Sequence, residues 1–492
     1  MLSVGTQPSS ARAGARHTRL VGRLVIHGEP VRFRELCRRV VPEGTRYLIL
    51  DLDRTVHLGR NMGELLGWEL CAYHGYGLDR LVEAEGRRPL GRFFFAWSRP
   101  ASVVRYLAVT ARMWALPGLF YFFCGKLPAL LEITRRLSFR FFGPEPVAAV
   151  QRVPQTVLMH HMAAVPTSTL RMLARRVWDR YRGDQVIEHA DLEWVRSRCP
   201  GIRIVIASAS PRPSLEVAAE DLGVDDIIYS RAEEHDGQFS SPYQLNRLFM
   251  LPAPRWISGP GQLRINSGRA KIEALLARYP DLADPAVVSV GMSDTGYGED
   301  HCWAEHFTRV VDVNSSAPFP PIVPAGSPVR EIHSAAVLTR SELARRAAGE
   351  PTYSDPRRAQ RDSADHAFTA AELKERLGGL VDEAEVLASR FEECASHLAE
   401  ARRLILLEGK EVAGRLDVIA AAFNSARGRE RRPIMSQLRR ELREERALRR
   451  RLARLERPLS EIAIERNRLL VTSREELARR APGAGGARRR AP

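Results

Sequence analysis

A chain of 492 residues exceeds what one hydrophobic core organises, so two or three domains are expected. Its 44% hydrophobic content is that of a globular protein, and the net charge of +16 at pH 7 invites a nucleic-acid or anionic-membrane partner. The cations are almost all Arg, spread along the chain with Lys only at 126, 271, 374 and 410, so no specific nucleic-acid site is expected. The six scattered cysteines form no CxxC pair, which excludes a disulfide framework and points to a reduced, cytoplasmic chain.

Residues 1–45 are basic and weakly patterned, as in a flexible arm followed by one short helix, and no apolar stretch follows Arg12, Arg16 and Arg19. Tyr47 to Leu50 is an apolar run that ends abruptly in Asp51 and Asp53, the pattern of a buried parallel strand with polar groups at its C-terminal end. Residues 61–195 read as a helical insertion rich in aromatics. Its most apolar part, Met113 to Gly125, contains Pro117 and is too short to span a bilayer, so it reads as a buried helix pair, with shallow membrane contact as the alternative.

A second buried strand, Ile202 to Ala207, runs into a polar turn, Ser208-Ala209-Ser210-Pro211. Helix Ser214 to Leu222, strand Asp226 to Tyr229, helix Gly268 to Tyr279 and strand Ala286 to Val290 follow, the last ending at Ser293-Asp294-Thr295-Gly296. Alternating strands and helices, with polar residues after each strand, predict an open α/β Rossmann-like parallel sheet whose site lies at the strand C-termini. Its expected extent is 46–60 and 196–330, with a linker over 331–366. From 367 to 481 the pattern is helical: Leu373, Leu377, Leu380, Ala384, Leu387, Phe391, Cys394, Leu398, Ala401 and Ile405 step as a heptad seam, and a break at Asn424 to Pro433 precedes a second Arg/Glu-rich helix. Two such helices predict an antiparallel hairpin or a coiled coil that joins a second copy or a partner protein. Residues 482–492 are Gly/Ala/Arg-rich and are expected to be disordered.

The chemistry concentrates at four places. In Asp51-x-Asp53-x-Thr55 two carboxylates at a strand end can divide the work of attack and proton transfer, although solvated acids at a strand end would look the same. Ser208 ends the next strand, where its hydroxyl and the following amides can hold a phosphate oxygen, or merely cap a helix. Lys271 opens a helix, from which an ammonium can reach a phosphate. Asp294, with Glu299 and Asp300 on the loop beyond, offers the hard oxygens that suit Mg²⁺. A second cluster, His301, Cys302 and His306, has the residue types of a zinc site without a ligand-pair spacing, and His160-His161 lies in the insertion.

These four motifs in this order resemble the haloacid dehalogenase superfamily, and Ile204-Val205-Ile206-Ala207-Ser208-Ala209-Ser210-Pro211 is similar to the subgroup of phosphoserine phosphatase. The resemblance covers roughly residues 45 to 320. It implies Asp51 as nucleophile, Asp53 as acid/base, and Ser208, Lys271 and Thr55 as phosphate contacts. Asp51, Asp53 through its carbonyl, and Asp294 would hold Mg²⁺, with Glu299 or Asp300 as a further carboxylate, and 61–195 would be the cap. That subgroup reads Gly-Asp-Ser after the last strand, where this chain reads Gly291-Met292-Ser293-Asp294, so Asp294 is expected to serve from two positions later. The implied activity is Mg²⁺-dependent hydrolysis of a phosphomonoester, a small metabolite or lipid headgroup, through an aspartyl-phosphate. A catalytically weakened scaffold whose C-terminal helices bind a partner is the alternative, and transfer to an acceptor other than water is a third.

Overall fold

Seven parallel strands flanked by an antiparallel strand at each edge make one nine-stranded sheet. From edge to edge its order is β13 (His366–Thr369), β2 (Arg23–Ile26), β12 (Glu331–Ala335), β10 (Arg309–Val313), β9 (Ser289–Ser293), β3 (Tyr47–Leu50), β4 (Arg203–Pro211), β5 (Asp226–Ala232) and β8 (Leu263–Arg264). This is a computed structural model, and it describes residues 18–83, 100–115, 158–159, 161–162, 165–232, 234–235, 238–239, 263–264, 266–315, 317–350, 365–426, 430–448, 450–451 and 454. His160 and the tail 482–492 lie outside them. The chain divides into two units, an α/β unit (22–319 and 328–369) and a smaller one (18–21, 320–327 and the described residues from 370 on).

Leu48, Ile49 and Leu50 of β3 are wholly buried, as expected of a central parallel strand whose two faces are covered. Its neighbours β9 and β4 pair with it in register, Leu50 opposite Met292 on one side and Ile206 on the other, so three strand ends open at one place. The described residues of the insertion are mostly helical. Helix Met62–Tyr76 starts at Asn61, whose side chain accepts from the Gly63 and Glu64 amides at 2.8 and 3.3 Å. It packs on helices Pro100–Thr110 and Thr167–Arg180, and the buried Glu69 pairs with Arg180 and Arg176.

Four expectations change. Residues 18–45 contain two strands besides the helix Phe33–Val40, and β2 enters the sheet. The sheet does not end at 330, because β12 lies inside it between β10 and β2. The expected linker thus carries a core strand and a capped helix, Arg340–Ala347, whose Thr339 and Glu342 form a capping box. Strand β4 runs on through Ser208 to Pro211, its pairing with β5 shifting register between Ala207 and Pro211 where a turn was expected. Strand β9 spans 289–293 rather than 286–290. That last shift matters most for the site.

Gly291 in β9 is needed for packing. A Cβ there would lie 2.7 Å from Phe307 and 2.8 Å from Trp303, both wholly buried. Gly291→Val should therefore destabilise the protein by about 1–3 kcal/mol through overpacking. Thermal unfolding checks this, and a variant as stable as the parent would show that the aromatic pair yields freely.

In the smaller unit, β1 (Thr18–Leu20) pairs with β11 (Ile322–Pro324), and a 46-residue helix, Leu380–Ser425, is followed by helical residues 431–448. Ile405, Val412, Ile419 and Ala426 are buried at heptad spacing, and Leu448 packs with Ile405 and Val412. Arg415 pairs with Glu441 and Glu444 at 2.9 and 3.0 Å, and Arg451 with Glu408 at 3.2 Å, so the later stretch returns antiparallel to the first. Of the two expected arrangements, the described residues form the hairpin. Cys394, expected in the seam, is exposed.

Candidate active site

Asp51 leaves β3 at the point where the chain must turn. Its amide donates to Met292 O at 2.9 Å, which continues the pairing with β9, and its Oδ1 accepts from the Leu52 amide at 2.9 Å. Lys271 Nζ reaches the same Oδ1 at 3.1 Å and Asp300 Oδ2 at 2.9 Å, and both carboxylates and the ammonium are buried. Burial alone would lower the Lys271 pKa, but Asp300 and Asp51 overcome it and hold the ammonium charged. Asp51 is pushed up, first by burial and then by Asp300, Asp294 and Asp53, with Lys271 opposing them.

The loop after Asp51 is tight. Arg54 adopts a left-handed φ of 62°, and its amide donates to His57 O at 2.7 Å. This turn aims Asp53 at two partners: Oδ1 accepts from the Met62 amide at 2.7 Å, at the first turn of the cap helix, and Oδ2 accepts from Ser210 Oγ at 2.7 Å. Ser208 Oγ lies 3.5 Å from the same oxygen and accepts from the Ser210 amide at 3.2 Å. Asn266 holds this strand end, donating to Ser208 O at 3.0 Å.

Asp294 sits where β9 ends and caps the 3₁₀ stretch Thr295–Glu305, accepting from the Gly296 amide at 2.9 Å. Thr55 Oγ1 accepts from its amide at 2.8 Å, and Arg54 lies 4.0 Å from its Oδ2. The β-branched Thr295 takes a φ of 67°, a strained conformation held by Ser293 Oγ on its amide at 2.9 Å and by Ser315 Oγ on its hydroxyl at 2.8 Å. Such strain is retained where a loop has to present a particular group.

The structure thus brings together Asp51, Asp53, Thr55, Ser208, Lys271 and Asp294, and one expectation, on Met292, needs correction. Met292 does not occupy an acid position. It lies inside β9, wholly buried and paired with Leu50, and the strand itself delivers Asp294 without a loop shift. Glu299 is exposed, and the further buried carboxylate is Asp300, which Ser293 Oγ also binds at 2.7 Å. The Thr55 oxygen is engaged by the Asp294 amide, so Thr55 ties the two loops together. Ser210 and the Met62 amide were not singled out in the sequence. Ser210 stands in the quoted Ser-Ala-Ser run, but nothing in its spacing says that it reaches Asp53.

Four carboxylates (Asp51, Asp53, Asp294 and Asp300) face two cations (Lys271 and Arg54), a deficit that one divalent cation would balance. Among the described residues no three His, Cys, Asp or Glu side chains converge on a metal position, His301, Cys302 and His306 included, as their lack of ligand-pair spacing suggests; His301 Nε2 meets Ala317 O at 3.0 Å. A cation beside Asp51 would therefore rest on two side-chain carboxylates, a carbonyl and water. That donor set suits Mg²⁺, which keeps several waters.

Asp294 is pushed up to about 6, mainly by burial, while the Gly296 amide, Lys271 and Arg54 pull it down. A metal ligand must be deprotonated, so if Asp294 holds Mg²⁺ the affinity should weaken as pH falls through that value. Titration calorimetry from pH 5 to 8 reads this directly, and a flat affinity would rule out Asp294 as a ligand.

No protein-family model matches the chain, and no curated protein matches it. Among solved structures it is similar to a Bordetella pertussis Tohama I protein of unknown function, with 15% identity and a TM-score of 0.32 over 55% of this chain and 92% of that one. It is similar to a HAD-family hydrolase from Salmonella enterica serovar Typhi, with 12% identity and a TM-score of 0.30 over 57% and 70%. It is also similar to a substrate-bound phosphoserine phosphatase complex, with 9% identity and a TM-score of 0.28 over 62% and 99%. Among the described residues no helix is long and apolar enough to cross a membrane.

Proposed function

We propose that the chain is a Mg²⁺-dependent phosphomonoesterase that acts through an aspartyl-phosphate on Asp51, on a small phosphorylated metabolite or a lipid headgroup. The observation that carries this reading is the buried Asp51–Lys271–Asp300 group at the end of β3, with Asp53 and Asp294 at its sides and more negative charge than its cations balance.

The Leu52 amide and Lys271 hold Asp51 Oδ1, which orients Oδ2 as the attacking atom. In the first step the Oδ2–phosphorus bond forms as the bond from phosphorus to the leaving oxygen breaks, and Asp53 gives that oxygen its proton. In the second, water attacks the phosphorus in line, Asp53 takes the proton, and the bond to Asp51 breaks to release phosphate. Ser210 and the Met62 amide hold the Asp53 carboxylate in place at the mouth of β4. Ser208 and Lys271 serve the phosphate oxygens. Bound between Asp51, the Asp53 carbonyl and Asp294, Mg²⁺ would supply charge neutralisation of the phosphate.

The weakened-scaffold alternative took its motive from Met292 and from the long heptad region, and the buried carboxylates around Lys271 favour the enzyme over it. Phosphate release from a generic aryl phosphate tests the proposal. Release should require Mg²⁺, stop when a chelator is added and return when the ion is restored. Turnover unaffected by the chelator would refute it. Added alcohols that yield alkyl phosphates would redirect it to phosphotransfer.

A further inference from the structure

The cap carries an apolar face that is exposed among the described residues. Helix Pro100–Thr110 turns Val103 and Tyr106 inward, and Tyr106 backs onto Gly75 so closely that a Cβ on that glycine would meet Tyr106 atoms at 2.6–3.1 Å. On its other side Val104 is 65% and Leu107 46% exposed, with Ala108 and Ala111 exposed beside them. Positions 104, 107, 108 and 111 are spaced i, i+3, i+4 and i+7, so they form one continuous stripe. Among the described residues of the α/β unit, Val104 and Leu107 are the large apolar side chains left exposed. The helix is thus apolar on two faces, and the described residues bury one of them.

The sequence around the stripe carries charge of one sign. Arg105 is exposed at its border. From residue 86 to 131 the sequence holds seven Lys or Arg and no Asp or Glu. An exposed Val/Leu/Ala stripe within an acid-free, cationic stretch of sequence is the chemistry of a helix that lies in the headgroup region of an anionic bilayer, apolar face down and Arg105 at the phosphates. A protein partner fits less well, because the stripe's centre has none of the aromatic or Arg anchors on which such interfaces depend. Nucleic acid would use the arginines but gain nothing from the stripe.

We propose that the exposed face of helix Pro100–Thr110, centred on Val104 and Leu107 with Arg105 at its edge, docks the protein on anionic lipid surfaces. This binding is separate from turnover, so it can be read on catalytically dead protein, and its failure is distinguishable from a failure of the phosphatase proposal.

The test is flotation of the full chain with phosphatidylcholine vesicles containing about one-third phosphatidylglycerol, against phosphatidylcholine alone, at about 0.1 M salt. The full chain should float with the anionic vesicles and not with the neutral ones. Val104→Glu/Leu107→Glu should lower the apparent affinity about tenfold or more, and Arg105→Glu several-fold, with unchanged melting curves. Three results would overturn the proposal. The full chain could fail to bind, or the double variant could bind as the parent does, placing the affinity in arginines elsewhere. Alternatively, the double variant could turn a solution dimer into a monomer without changing flotation, making this face a contact between two copies.

Discussion

Asp51→Asn should abolish phosphate release, by about 10⁴-fold or more, without unfolding the protein. The amide keeps the volume of the carboxylate and can still accept from the Leu52 amide, but it cannot attack phosphorus. The change also relieves the site. Asp51 is a buried carboxylate held above its ordinary pKa by burial and by Asp300, Asp294 and Asp53, and Lys271 keeps Asp300 as its partner. Stability should therefore stay within about 1 kcal/mol of the parent or rise, as when a strained catalytic group is removed. Phosphate release and thermal unfolding measured on the same preparation check both halves. Residual activity near the parent level would move the nucleophile elsewhere.

Lys271→Met should do the opposite to stability. Methionine fills the space beside Trp303, whose ring centroid lies 5.6 Å from Nζ, but it leaves Asp51 and Asp300 buried without their shared cation. Breaking a buried pair from one side costs about 3–5 kcal/mol. The cost has a sign in pH. Asp51 already sits above its ordinary value, and the ammonium is what opposes that rise. Without Lys271 it titrates higher still in the folded chain, so the variant should approach the parent at low pH and fall behind as pH rises through its folded-state value. Denaturant unfolding at pH 5 and pH 8 reads the difference. A loss of the same size at both would place the role of Lys271 in packing. Lys271→Arg should not restore it, because the guanidinium is larger and planar where Nζ makes two contacts from within a closed space.

The sequence showed the centre of the fold and missed its margins, for identifiable reasons. Strands β3 and β4 were legible because a strand buried on both faces is a run such as Tyr47–Leu50 that breaks into polar residues where it meets the site. Strand β9 was placed three residues early because Gly291 and Ser293 read as residues beyond its end, while Ser289 reads as a polar residue within it. Both serines are buried inside it, bonded to Thr308 and Asp300. The same masking hid β10 and β12, where Asp312 accepts from Ser334 Oγ at 2.8 Å and His333 sits opposite Val25, polar residues whose partners are other strands rather than water. The role of Ser210 and the pairing of Asp300 with Lys271 were illegible in a different way. Each depends on a neighbour more than 28 positions away, Asp53 or Lys271, and only the packed sheet sets that distance. The heptad seam, finally, reads alike for a hairpin and a dimer, and the Arg415 pairs with Glu441 and Glu444 give the hairpin.

Trapping the covalent intermediate tests the central claim most directly. In Asp53→Asn protein with Mg²⁺ and an aryl phosphate, whose leaving group needs no acid, the first step should proceed while the second lacks its base, so phosphoenzyme should accumulate. Borohydride reduces an acyl phosphate to an alcohol, and mass spectrometry of the peptide spanning Tyr47 to Thr55 should then find homoserine at position 51 and nowhere else. Label on another residue, or steady turnover with no covalent phosphoenzyme at any time, would contradict the account.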